Sequence, residues 1–167
     1  MARAGTYPLT FHASADAVGK MRNEVAVTWP AMKQSWDFAT DEAPILGGED
    51  TAPPPLALFL AALAGCARTN IRMMARQKGV TIDALHVDVR AEWAREVPET
   101  GTHRALTRGF DLDIRIDTAA PTAAVIDLIE AAQIGCFVEH SLAVPVTLRH
   151  RVQHGTSDWI AVDAVLT

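Results

Sequence analysis

The chain has 167 residues, 49% of them hydrophobic, with a formal net charge of -5 and two cysteines. That size and apolar content fit one globular domain with a real core, and the acidic balance argues against nucleic acid, which is held through a clustered basic surface. Residues 1–9 lack the apolar stretch of a secretory leader, so a cytoplasmic, reducing setting is expected, where two thiols point to redox or catalytic use before a static staple.

Two strand signals come first, Tyr7, Leu9 and Phe11, then Val25, Val27 and Trp29, with a turn near residues 16–19. A loop carrying Gly47 and Gly48 leads to Pro53, Pro54 and Pro55. Pro55 suits a first helical turn, where its missing N–H has no intrahelical partner to lose. From there Leu56, Phe59, Leu60, Leu63, Ala67, Ile71 and Met74 recur at helical spacing, and Leu58, Ala61, Ala62 and Gly65 make the first half apolar all round. The uncharged run 53–67 is shorter than the roughly 20 residues a bilayer requires, so it reads as an enclosed core helix. Arg68, Arg72 and Arg76 then form an i, i+4 stripe before a stop at Gly79.

The period changes to two beyond Gly79. Leu85, Val87, Val89, Ala91 and Trp93 alternate with His86, Asp88, Arg90 and Glu92. After a loop with Pro98, Gly101 and His103, Leu106, Phe110, Leu112, Ile114 and Ile116 alternate with Asp111, Asp113, Arg115 and Asp117. The two runs predict a long antiparallel hairpin with one wet face. Thr118 is expected to cap a second helix with Pro121 in its first turn, a buried stripe of Val125, Ile126, Leu128, Ile129 and Ala132, and a stop at Gly135. Cys136 opens a short helical segment to about Leu142. Val144, Val146, Leu148, His150 and Val152 read as a strand, in which Arg149, His150 and Arg151 are a solvated stretch, and a last strand is expected over residues 159–165.

The order β-β-(β)-α-β-β-α-β makes this an α+β fold. A helix apolar on every side needs cover on every side, more than one sheet in one chain supplies. A homodimer follows as an expectation, with the 56–67 helices packed near one another through their small residues.

Both cysteines follow a glycine beside an apolar helical segment, Gly65-Cys66 and Gly135-Cys136. With these neighbourhoods in this order, the chain resembles the OsmC/Ohr family of thiol-dependent peroxidases. The resemblance rests on the loop over residues 41–48, the proline-rich helix start, the run Leu-Phe-Leu-Ala-Ala-Leu-Ala-Gly-Cys over 58–66, and the Ala-rich helix ending in Gly135-Cys136 before a Val-Pro-Val stretch at 144–146. It covers residues 36–152 of a single domain spanning 1–167, with residues 1–35 as N-terminal strands contributing to the dimer.

The resemblance implies an intertwined homodimer, with antiparallel sheets wrapped around two central helices and two sites at the subunit interface. It also implies that Cys66 is the peroxidatic thiol and Cys136 the resolving one, acting on an organic hydroperoxide, with an external dithiol reductant and no cofactor or metal. The alternative it leaves is a protein that binds an apolar small molecule, or senses redox state, with little peroxidase activity.

The chain departs from the family pattern where the thiolate is activated. Leu56 stands where the efficient peroxidases carry a glutamate ten residues before the first cysteine, Phe38-Ala39-Thr40-Asp41 stands where they place a loop arginine, and Phe137 replaces a proline. A nucleophilic thiol needs a cation or a helix N-terminus to lower its pKa, since burial raises it. Arg68, Arg72 and an Arg22 from the partner subunit are the candidate cations, Glu49 and Asp50 the candidate carboxylates, and Cys136, at a helix start, reads as the more acidic thiol. His140 lies one turn after Cys136, next to Glu139, at a spacing that suits metal ligands, but no further Cys or His cluster completes a zinc site. An apolar pocket is expected from Phe59, Leu63, Met73 and Phe137.

Overall fold

Strict alternation of apolar and polar residues builds the longest strands of this protein, β4 (Ala84–Glu96) and β5 (Arg104–Asp117), which pair with each other. The computed structural model describes residues 5–162. Ahead of the hairpin lie β1 (His12–Val18), β2 (Arg22–Trp29), β3 (Gln34–Thr40) and the helix α1 (Pro55–Lys78). After it come α2 (Thr122–Gly135), α3 (Phe137–Ala143), β6 (His150–Val152) and β7 (Ile160–Val162). This is the expected α+β class, with antiparallel sheets and the helices set between them in sequence. The contacts divide into two compact units, residues 5–62 with 89–111 and residues 63–88 with 112–162.

In the first unit β1, β2 and β3 form an antiparallel meander in that order, with Ala15 opposite Val25 and Val25 opposite Phe38. The strand signal at Tyr7 to Phe11 is displaced: those residues precede β1, although Phe11 stacks on Trp29 at 5.0 Å between ring centroids. β3 fills the place of the optional third strand in the expected order, and residues 38–40 are strand where the family resemblance suggested loop. Phe59 of α1 meets Trp93 and Phe110 of the hairpin at 6.3 and 6.0 Å, and those two rings meet edge to face at 5.7 Å. This aromatic trio covers one side of the helix start only. Leu56 and Phe59 stay 52% and 37% exposed, so the chain alone does not enclose the first half of α1.

The loop between β3 and α1 is organised around a buried carboxylate. Asp41, 1% exposed, accepts hydrogen bonds from the backbone N–H groups of Glu42 (2.8 Å), Glu49 (3.3 Å) and Thr51 (3.0 Å) and from the Thr51 hydroxyl (2.8 Å). Arg22 of β2 donates to the Thr51 carbonyl (3.1 Å) and hydroxyl (2.9 Å) and pairs with Glu24 at 2.8 Å. Within its own chain Arg22 is therefore tied to the loop before α1. Gly48 is required by close approach: a Cβ there would lie 1.8 Å from the Glu42 carbonyl oxygen.

In the second unit a single spacing of four recurs. Leu63, Ala67, Ile71 and Ala75 are the buried line of α1, and Leu128 and Ala132 that of α2. Ile71, Ala75, Leu128 and Ala132 form one core cluster, flanked by Val80 and Ile82 and by Leu85, Val87, Ile114 and Ile116, the last four of which the alternation assigned to the dry face. Although α1 is long and apolar enough to cross a bilayer by length and composition, this line is committed to a protein core. The helix stops at Lys78 with Gly79 at φ +69 and the Val80 N–H bonded back to the Ala75 carbonyl at 2.9 Å, a left-handed helix terminus.

Three expectations fail in this unit. Thr118 does not cap α2, because its hydroxyl donates to the Thr81 carbonyl at 2.6 Å and Pro121 occupies the cap position. Ile126 is exposed rather than part of the buried stripe. The strand from Val144 shrinks to His150–Val152, paired with Ile160–Val162, while residues 163–167 of the expected last strand lie outside the described residues.

Two measurements check the loop. The hydrogen bonds from Thr51 chiefly, with those from Glu42 and Glu49, hold the Asp41 carboxyl at about 2 against an ordinary 3.8. A carboxylate held below its unfolded value stabilises the fold above about pH 4 and loses that contribution as pH falls toward 2, so acid unfolding of Asp41→Asn should show a flatter pH dependence in that window. Gly48→Ala forces the backbone apart and should cost about 2 kcal/mol or more, a fall of several degrees in thermal midpoint.

Candidate active site

The second unit brings the two cysteines together. Cys66 lies on α1, one residue before the buried Ala67, and Cys136 continues the buried line of Leu128 and Ala132 one turn further, at the junction of α2 and α3. Because both lines are spaced by four, packing the helices through Ile71, Ala75, Leu128 and Ala132 puts the sulfurs on facing sides. Both thiols are free, and the Cys136 S–H donates to the Cys66 sulfur at 3.2 Å.

Their surroundings differ. Cys136 is fully buried, whereas Cys66 is half-buried. Burial raises the Cys136 thiol from 9.0 to about 12; the Glu139 backbone N–H opposes this, and the neighbouring Cys66 and the Glu139 side chain add to it. The expectation that the start of α3 makes Cys136 the more acidic thiol is therefore wrong: one backbone donor does not offset the loss of water.

Asn70, one turn beyond Cys66 on α1, was not singled out by the sequence. Its Nδ2 donates to the Cys66 carbonyl at 3.0 Å and to the Cys66 sulfur at 3.5 Å. A buried polar residue inside an apolar helical line is the signal that could have drawn notice to it.

The other candidates fall away from the thiols or take different roles. Arg68 and Arg72 are exposed and make no hydrogen bond or ion pair among the described residues. In the first unit, Glu49 pairs with Lys20 at 3.1 Å and Asp50 holds a left-handed turn at φ +55. His140 is exposed and lines an open depression of about 300 Å³ with Ile134, Gly135, Cys136 and Phe137. Of the expected pocket only Phe137 belongs to that depression; Leu63 is buried in the core, Met73 is exposed, and Phe59 belongs to the aromatic trio of the first unit. Among the described residues no group of three or more His, Cys, Asp or Glu could hold a metal ion.

An α+β framework that presses two free thiols together at a helix junction defines a paired-cysteine class of protein. The family model for OsmC-like protein matches residues 48–151. A solved structure of an OsmC-like hydroperoxide resistance protein from Jannaschia sp. CCS1 is 37% identical, covers 91% of this chain and 97% of its own, and superposes with a TM-score of 0.63. Organic hydroperoxide resistance proteins from Legionella pneumophila and Elizabethkingia anophelis share the fold, at 22% and 17% identity, 82% coverage of this chain, 91% and 90% of theirs, and TM-scores of 0.60 and 0.61. No curated protein sequence matches. The chain belongs to the OsmC-like family.

The contrast between the sulfurs has a direct chemical readout. In the native protein at about pH 8, iodoacetamide should label Cys66 well before Cys136, and the difference should vanish in denaturant. Equal native labelling, read by peptide mass spectrometry, would contradict the enclosure of Cys136.

Proposed function

We propose that this protein is a thiol-dependent peroxidase that reduces organic hydroperoxides, with Cys66 as the peroxidatic and Cys136 as the resolving thiol. The observation that carries the reading is the 3.2 Å contact between a half-open and a fully enclosed sulfur. The hydroperoxide resistance proteins with which the chain shares its fold support a peroxide-related role.

In this reaction the Cys66 thiolate attacks one oxygen of the O–O bond. The electron pair of that bond leaves with the other oxygen, which takes a proton and departs as the alcohol. Cys66, oxidised by two electrons, becomes a sulfenic acid. The Cys136 sulfur, already within contact, then displaces hydroxide as water and closes a disulfide, which an external dithiol reduces. The exposed Phe137 and Ile134 beside Cys136 offer an apolar bed for the organic part of the substrate. A cytoplasmic setting suits a cycle that depends on reducing dithiols.

We assign the working form as a homodimer. Leu56 and Phe59 of α1 are exposed, as are Phe11, Trp36 and Phe38 of the three-stranded sheet region. Apolar surface of this extent calls for cover, and a second copy of the chain supplies the same small-residue helix start.

Cys66→Ser should abolish turnover of an organic hydroperoxide with a dithiol reductant, and full activity in that variant would sink the mechanism. Cys136→Ser should leave one equivalent of sulfenic acid trappable on Cys66 without forming an intramolecular disulfide. Light scattering should give twice the chain mass; a monomer would require a different cover for α1.

A further inference from the structure

The family's activating arginine and glutamate are missing from their expected places, yet the Cys66 sulfur is not without donors. Two groups face it: the Cys136 thiol from the α2–α3 junction, and the carboxamide of Asn70 on its own helix. Glu139 stands behind Cys136 and acts on that thiol. No arginine, lysine or histidine makes a hydrogen bond to Cys66 among the described residues.

Asn70 is itself held in place. It is buried, its Nδ2 is anchored on the Cys66 carbonyl at 3.0 Å, and its Oδ1 lies against the end of α2, where a Cβ on Gly135 would come within 3.3 Å. The side chain is therefore bonded to the backbone of Cys66 and set close to the glycine that precedes Cys136, and the bare Gly135 admits it. An asparagine in a helix interior is costly unless its side chain is bonded, and here the bonding aims an N–H hydrogen at a sulfur.

We propose that Asn70 is a positioning residue for Cys66: its carboxamide N–H is a neutral, preorganised donor to negative charge on that sulfur, serving where the family uses an arginine, and Gly135 is its seat. The proposal rests on the reading of Cys66 as the attacking thiol. A donor to the charged form of a group favours that form, and a donor fixed before the reaction needs no reorganisation when charge develops.

The test uses the full chain with Cys136→Ser, so that alkylation reports Cys66 alone. The rate of iodoacetamide alkylation is measured against pH for this protein and for Asn70→Leu, which keeps the volume, loses the donor and adds no charge. The profile should move upward by about one pH unit. Gly135→Ala, which crowds the carboxamide without removing it, should move the profile in the same direction by less, and it serves as the readout should Asn70→Leu fail to fold. Profiles that coincide with the parent, with only thermal stability lowered, would make Asn70 a helix tie and overturn the proposal. Hydroperoxide turnover is read separately with Cys136 intact: shifted alkylation without any turnover in the parent protein upholds the role of Asn70 and rejects the peroxidase reading instead.

Discussion

One contact constrains the rest: a thiol with no water around it must meet a second thiol that keeps some. Sequestering Cys136 takes a helix end packed by residues small enough to let α2 lie close to α1. The lines of four supply this, with Ala67 and Ala75 on α1 and Ala132 on α2 alternating with Leu63, Ile71 and Leu128. Larger side chains at the alanines would hold the helices apart and part the sulfurs; smaller ones at the leucines would leave voids. The hairpin completes the second unit by laying Leu85, Val87, Ile114 and Ile116 over the same cluster.

Much of this was legible because it is periodic. The β4–β5 alternation is reproduced almost residue by residue, since a strand with one wet face has no other way to place alternate side chains. The stops at Gly79 and Gly135 and the short helix after Cys136 were equally readable. β3 is legible only as the optional third strand of the expected order, although Ser35, Trp36, Asp37 and Phe38 alternate in it; a seven-residue run next to a glycine- and proline-rich loop carries a weak signal. Thr118 misled because a hydroxyl ahead of a helix has two uses, and here the carbonyl of Thr81 takes it. Among the described residues, β6 is limited to the three residues that pair with β7, and Val144 and Val146 precede it.

The site was legible as a pair of residues, not as an environment. Spacing placed both cysteines on their helices, but which of the two is enclosed depends on contacts between segments 70 residues apart. The same holds for Asn70 and Asp41, each polar and each buried. A sequence shows their chemistry and hides their burial, and burial is what gives a carboxylate four donors or aims an amide at a sulfur. Asn70 shows at most as a polar residue set in an apolar helical line, and Asp41 makes no local pattern that ranks it above the other aspartates of the chain.

The unequal enclosure of the sulfurs also sets a direction for electron entry. If the pair is joined, an incoming thiolate reaches only the half-open sulfur of Cys66, and the bond must break by expelling Cys136. A dry site that favours the protonated thiol makes Cys136 a reluctant leaving group, since exchange is faster the more acidic the departing thiol. In the proposed cycle, small monothiols would then be slow reductants, and rapid recycling would call for a partner able to open the helix junction and hand the departing sulfur a proton.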